Sequence, residues 1–169
     1  MIYDRLIVEA LGTAKFAPWR GTAFRHMFAG FPPERENRSG ARWNPPDTPA
    51  IYTSLTRETA IAEADYYIKL QPLRPKAARK LYRLDISLNS VIELSDWTQL
   101  AKFGVNRKLF GSGGDYSECQ QVGGAVEWLG HDGLLVPSAR TKGINLVIFP
   151  NCQKADYKFQ IVDCEELST

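Results

Sequence analysis

Three rhythms of apolar and polar positions run along the chain, and each predicts a type of element. Ile2, Leu6, Ile7 and Leu11 recur at a helical spacing that Gly12 would end. Residues 23–28 predict a first strand, with Phe24 and His26 on one face and Arg25 on the other. A polar, proline-bearing loop over 31–40 and a turn over 43–49 follow, where Pro45, Pro46 and Asp47 forbid regular pairing. Residues 50–54 form a short strand, and Thr56 then opens a helix. On its wheel Glu58, Asp65 and Lys69 make the solvated face, and Ala60, Ala64, Tyr67 and Ile68 the buried one. Glu63 falls beside Tyr67, at the edge of that buried face.

The second half repeats these rhythms. Residues 80–87 alternate as a half-buried strand, 91–94 make a second short strand, and Asp96 caps a short helix to about 103. Asp115 and Glu118 have capping-box spacing for a helix over 116–130, with Val122, Val126 and Leu129 as its core stripe. Gly123 and Gly124 inside it cost roughly 1 kcal/mol each against alanine, so another backbone or a ligand should approach there. Residues 133–137 and 144–149 are continuous apolar core strands, and 157–164 alternate as a last strand. Strands with interspersed helices but no βαβ repeat predict an α+β fold with a mixed or antiparallel central sheet and flanking helices.

Composition narrows the function classes. A length of 169 residues is that of one domain, 1–169. A formal net charge of +2 gives no general attraction to nucleic acid or membrane. The basic stretch over 72–83 lacks a glycine-aromatic pattern and reads as a solvated connection. Cys119, Cys152 and Cys164 are odd in number and lack CxxC spacing, and with only His26 and His131 beside them they outline no metal cluster. Reduced thiols, no signal peptide and no membrane-length apolar run predict a cytoplasmic protein. The GSGGDY run at 111–116 lacks the Lys-Ser/Thr of a phosphate-binding loop and reads as a lead-in to a helix.

The candidate chemistry sits between residues 39 and 63, where Arg42, Tyr52 and Glu63 supply an anion binder, a stacking platform and a carboxylate. A carboxylate on a buried helix edge is paired, desolvated or functional. An ion pair between Arg42 and Glu63 would account for both without a substrate. Trp43 reads as a core anchor, Asn44 as a turn cap and His26 as a packed histidine.

Arg25, SGARWNPP at 39–46, AIYTS at 50–54, AIAE at 60–63, and GLLVPSAR at 133–140 followed by GINLVIF at 143–149 together resemble the RES domain family. The resemblance spans about 20–150. It implies an ADP-ribosyltransferase-like fold and a bacterial toxin of a toxin-antitoxin pair. It also implies consumption of NAD⁺ by phosphorolysis, by hydrolysis or by ADP-ribosylation of a protein. NAD⁺ is then substrate and no resident cofactor is implied. The partner implied is a DNA-binding Xre-type antitoxin, so that DNA is touched only through it. Carried over by position, the family's arginine falls on Arg25 (or Arg20), its glutamate on Glu63 and its serine on Ser138. Arg42, Tyr52 and Asn145 join them as NAD⁺-binding positions. The usual Gly-Gly before Arg-Trp-Asn is Gly40-Ala41 here, and the usual Pro-Gly turn is Pro46-Asp47. Arg140 and Lys142 add positive charge beyond what a pyrophosphate would consume, which favours inorganic phosphate as acceptor. A non-catalytic domain that binds a nucleotide or a partner protein is the alternative from another class.

Overall fold

The computed structural model describes residues 2–111 and 113–168, so Ser112 of the glycine-rich run lies outside the described residues. The elements are α1 (Arg5–Gly12), β1 (Ala17–Phe28), β2 (Ile51–Ser54), α2 (Arg57–Leu70), β3 (Arg79–Glu93), α3 (Trp97–Lys102), α4 (Arg107–Phe110), α5 (Ser117–Trp128), β4 (Gly133–Pro137), β5 (Ile144–Ile148) and β6 (Lys158–Leu167). A single turn of 3₁₀ helix, Pro150–Cys152, precedes β6.

The six strands form one mixed sheet in the order β1-β2-β5-β4-β3-β6, with β1 also paired to β3. That extra pairing closes β1, β2, β5, β4 and β3 into a ring and leaves β6 as the outer edge. All pairings are antiparallel except β3 with β4. Between the two halves of the ring lies one apolar cluster, with Ala23, Leu84, Ile86, Leu135, Leu146 and Ile148. A second cluster fills the space under the helices, with Leu11, Trp43, Val122, Val126, Leu134, Val136, Val147 and Phe149. Alternate residues of β4 and β5 enter different clusters, so both faces are buried. That is why these strands read as continuous apolar runs.

The predicted helix caps at Thr56 and Asp96 are made: Thr56 accepts from the Thr59 N–H and Asp96 from the Thr98 N–H. Several expectations are corrected. β1 begins at Ala17 rather than residue 23, because β3 pairs with it along its whole length. The strands expected at 80–87 and 91–94 are one element, β3. The polar pair Asn89–Ser90 lies in the gap between those two expected strands. Both its backbone N–H groups donate to the buried Asp132 carboxylate at 2.8 Å, where the strand changes partners from β1 to β4. The capping box at Asp115 and Glu118 does not form: Tyr116 holds the cap position, and Asp115 accepts from the Ser117 N–H at 2.8 Å. β6 shows little burial alternation because, at the edge, Ile161 and Val162 are both exposed.

Gly123 confirms the expected close approach. A Cβ there would overlap the Trp43 carbonyl, so α5 and the Arg-Trp-Asn turn meet backbone to backbone. Among the described residues no helix is long and apolar enough to cross a membrane. Among the described residues no His, Cys, Asp and Glu group could hold a metal ion.

Candidate active site

A cavity of about 890 Å³ opens between β1, the loop after it and α2. That volume suits a small-molecule ligand. Its helical wall is Ala60, Glu63, Ala64, Tyr67 and Ile68, one stripe of α2, with Gln71 just past the helix end. The stripe that reads as core therefore faces a hollow, and Tyr67 is 46% exposed for that reason. Desolvation as the main cause, with Tyr116 and Glu63 beside it, still pushes the Tyr67 phenol up to about 12. Asp65, expected to be solvated, instead receives Arg79 at 2.6 Å.

Glu63 is held by its surroundings through one oxygen. Its Oε1 accepts from Ser138 Oγ at 2.6 Å, from Asn145 Nδ2 at 2.9 Å and from the Ala139 N–H at 3.2 Å. These donors come from the end of β4, from β5 and from the loop between them. Sheet register supplies the rest: Ser54 pairs opposite Asn145 and donates to its Oδ1 at 2.7 Å, which orients the amide toward Glu63. Ser54 stood in the AIYTS stretch, and the Y-x-S pattern was the signal that could have singled it out. Ser138 is 5% exposed and does not line the cavity. Its Oγ accepts from the Arg140 and Thr141 N–H groups at 3.0 and 3.2 Å while donating to Glu63. That hydroxyl is committed to shaping the carboxylate's seat, and no histidine contacts it as a base would.

Arg42 is not the ion-pair partner of Glu63. Only 7% exposed, it donates from Nη1 to the Phe110 carbonyl, and its guanidinium lies 4.4 Å from the Phe110 ring centre and 4.6 Å from that of Tyr116. The turn that carries it is built by its neighbours. Tyr52 Oη accepts from the Trp43 N–H at 2.9 Å and donates to Asn44 Oδ1 at 2.7 Å, and Asn44 Nδ2 donates to the Thr48 carbonyl at 2.8 Å. Trp43 is 2% exposed, a core anchor as expected. Tyr52 thus spends its hydroxyl on the turn, and burial raises its pKa far above the ordinary phenol value. Asp47 sits at φ 68°, the left-handed region that favours glycine, at the point where the usual Pro-Gly turn has lost its glycine.

Arg25 lines the cavity and Arg20 does not. Arg25 donates to the Pro33 carbonyl at 2.7 Å and the Arg35 carbonyl at 2.6 Å, and burial brings its pKa down to about 10, so it stays charged at neutral pH. It therefore anchors the loop that brings Arg35 to the cavity rim. Arg35 was not singled out in the sequence, where it reads as one charge of a polar loop. Among the described residues the lining carries Arg25, Arg35 and Arg42 against a single carboxylate, Glu63. The arrangement can seat a dianionic ligand and place one fixed carboxylate against it. His26 also lines the cavity, and its Nε2 accepts from Arg79 Nε at 3.0 Å. Desolvation and the Arg79 charge push its pKa down to about 4, so it is neutral and committed, as a packed histidine should be.

The family model described as the RES domain matches residues 17–167. Proteins named NAD(+) phosphorylase MbcT from Mycobacterium bovis and Mycobacterium tuberculosis are 30% identical over 150 residues, covering 83% of this chain and 77% of theirs. A chain in the crystal structure of the M. tuberculosis MbcT-MbcA toxin-antitoxin complex superposes with a TM-score of 0.85 at 24% identity, covering 98% of this chain and 93% of that one.

Proposed function

Because the chain belongs to the RES domain family, we propose that it is a toxin that cleaves the nicotinamide-ribose bond of NAD⁺ with inorganic phosphate as acceptor. The observation that carries this reading is the Glu63 carboxylate, held by three donors on Oε1 in a cavity whose other charged lining residues, among those described, are Arg25, Arg35 and Arg42. Support for phosphate as acceptor comes from the relatives named NAD(+) phosphorylase.

In this reading Arg42 and Arg35 take the pyrophosphate, as permanently charged planar forks. Arg25 holds the Arg35 loop, and the Tyr52 ring and Tyr67 shape the slot for the base. Breaking the bond to nicotinamide develops positive charge at the ribose anomeric carbon. Oε2 of Glu63 carries none of the three hydrogen bonds on its partner oxygen, so it is the acceptor for a ribose hydroxyl and the negative charge nearest the developing cation. Ser138 and Asn145 act through Glu63 by fixing its rotation. The order of a strand arginine, a Y-x-S strand and a helical glutamate supports an ADP-ribosyltransferase-like fold. A cognate antitoxin of the Xre type, contacting DNA itself, would keep the toxin silent.

The test is to incubate the purified protein with NAD⁺, with and without phosphate, and to resolve the products. Nicotinamide release that rises with phosphate and yields ADP-ribose phosphorylated at the anomeric carbon is the expected result. Free ADP-ribose at a rate indifferent to phosphate would mean hydrolysis, label on a protein would mean transfer, and no nicotinamide would leave a binding domain.

A further inference from the structure

Arg140 is the least satisfied charged group among the described residues. Its guanidinium stacks on Tyr66, 3.2 Å from the ring centre, and Nη1 donates to the Gly111 carbonyl at 3.1 Å. Nε and Nη2 are buried and have no hydrogen-bond partner. Those two atoms are not a random remainder: they form one side-on edge of the guanidinium, the edge that receives two oxygens of a phosphate or carboxylate in parallel. Among the described residues no carboxylate is paired with it. Burying two donors of a cation without acceptors is costly, and a bound oxyanion would remove that cost.

Its position links this edge to the reacting centre. The Arg140 N–H donates to Ser138 Oγ, which donates to Glu63 Oε1, so two hydrogen bonds through Ser138 link the residue to the carboxylate. Arg42, which lines the cavity, holds the Phe110 carbonyl, and Arg140 holds the next one, Gly111. Phe110 and Gly111 are consecutive, so one short stretch of backbone accepts from both arginines.

On the proposed phosphorolysis, we infer that the Nε/Nη2 edge of Arg140 is the seat of the phosphate that the reaction consumes. The phosphate, as hydrogen phosphate, uses an oxygen lone pair to form the bond to the anomeric carbon. The carbon–nitrogen bond breaks and its electron pair stays on nicotinamide, which leaves neutral. No redox partner and no further proton are required. Glu63 serves the sugar and Arg140 the acceptor, so the two substrates have separable determinants.

The experiment measures steady-state rates against phosphate and against NAD⁺ for the parent and for Arg140→Gln and Arg140→Lys, with phosphate binding followed by calorimetry without NAD⁺. The expected result is a tenfold or greater rise in the KM for phosphate in Arg140→Gln. The KM for NAD⁺ should stay within about twofold, and calorimetric phosphate binding should weaken in parallel. Arg140→Lys, which keeps the charge and the fold but loses the fork, should fall between the two. An unchanged phosphate KM in both variants, or a loss that falls on NAD⁺ instead, overturns the assignment while leaving phosphorolysis standing. A parent whose rate ignores phosphate overturns both.

Discussion

Glu63 and its three donors are the clearest case of one side chain set by its neighbours. Ser138, Ala139 and Asn145 all address Oε1, which leaves Oε2 free to face the ligand. Glu63→Gln can keep that seat, because an amide oxygen accepts from the same donors while its NH₂ group takes the outward place. The fold is then retained, but the charge opposite the developing cation is gone. NAD⁺ cleavage should fall about a hundredfold or more, equivalent to roughly 3 kcal/mol of barrier, with an unchanged melting temperature. A fully active Glu63→Gln would make the carboxylate structural and would end the site assignment. Arg25, Arg42 and Tyr52 teach the opposite lesson at this scale. Each lines the cavity, yet each also holds backbone in place, so their substitution will mix loss of binding with loss of loop geometry.

Among the elements, α5 and the Arg-Trp-Asn turn depend on each other through Gly123. The overlap a Cβ would make is with the Trp43 carbonyl, and backbone on both sides leaves nothing flexible to yield. Gly123→Ala should therefore destabilise by about 3 kcal/mol, near the upper end of overpacking costs, although alanine is the better helix former. Chemical denaturation of the pure variant measures it. A variant as stable as the parent would show that α5 can shift off the turn. α2 shows how a helix can have a core-like stripe without a core. The same spacing that packs a helix onto a sheet here lines a hollow, with Glu63 in its middle and Tyr67 at its exposed end.

For the molecule as a whole, the closed strand ring places β1 between α2 and β3, and the cross-connection Asp65–Arg79–His26 ties these layers together. His26 has its pKa lowered from 6.5 to about 4, so the folded state resists a proton that the unfolded chain accepts. Between those two values the unfolded state binds more protons, and stability must rise with pH across that window. The stabilisation is complete above about pH 6.5 and is lost as pH falls toward 4. His131, whose pKa burial also lowers, acts in the same direction. The melting temperature should thus drop between pH 7 and pH 5, and His26→Asn should flatten that drop. An equal slope in parent and variant would remove His26 from the account.

Local chemistry was legible in the chain itself. Thr56 and Asp96 announce their caps because a short side-chain oxygen meets nearby N–H groups whatever else folds around it. The apolar runs of β4 and β5 announce burial on both faces, and Gly123 a close approach. Arg25, Arg42, Tyr52, Glu63 and Asn145 of the cavity wall, and Ser138 behind it, could be named from their motif positions, since they occur in a recognisable order. Their division of labour was decided only by the tertiary structure. Sheet register puts Ser54 opposite Asn145 and so makes the amide a donor to Glu63. The Phe110 carbonyl, not Glu63, receives Arg42, because the packing of α4 brings that carbonyl within reach across 68 residues of chain. The orphaned edge of Arg140 has no sequence signal at all, since an unmet hydrogen bond is a property of everything that surrounds a side chain and of nothing adjacent to it in the chain.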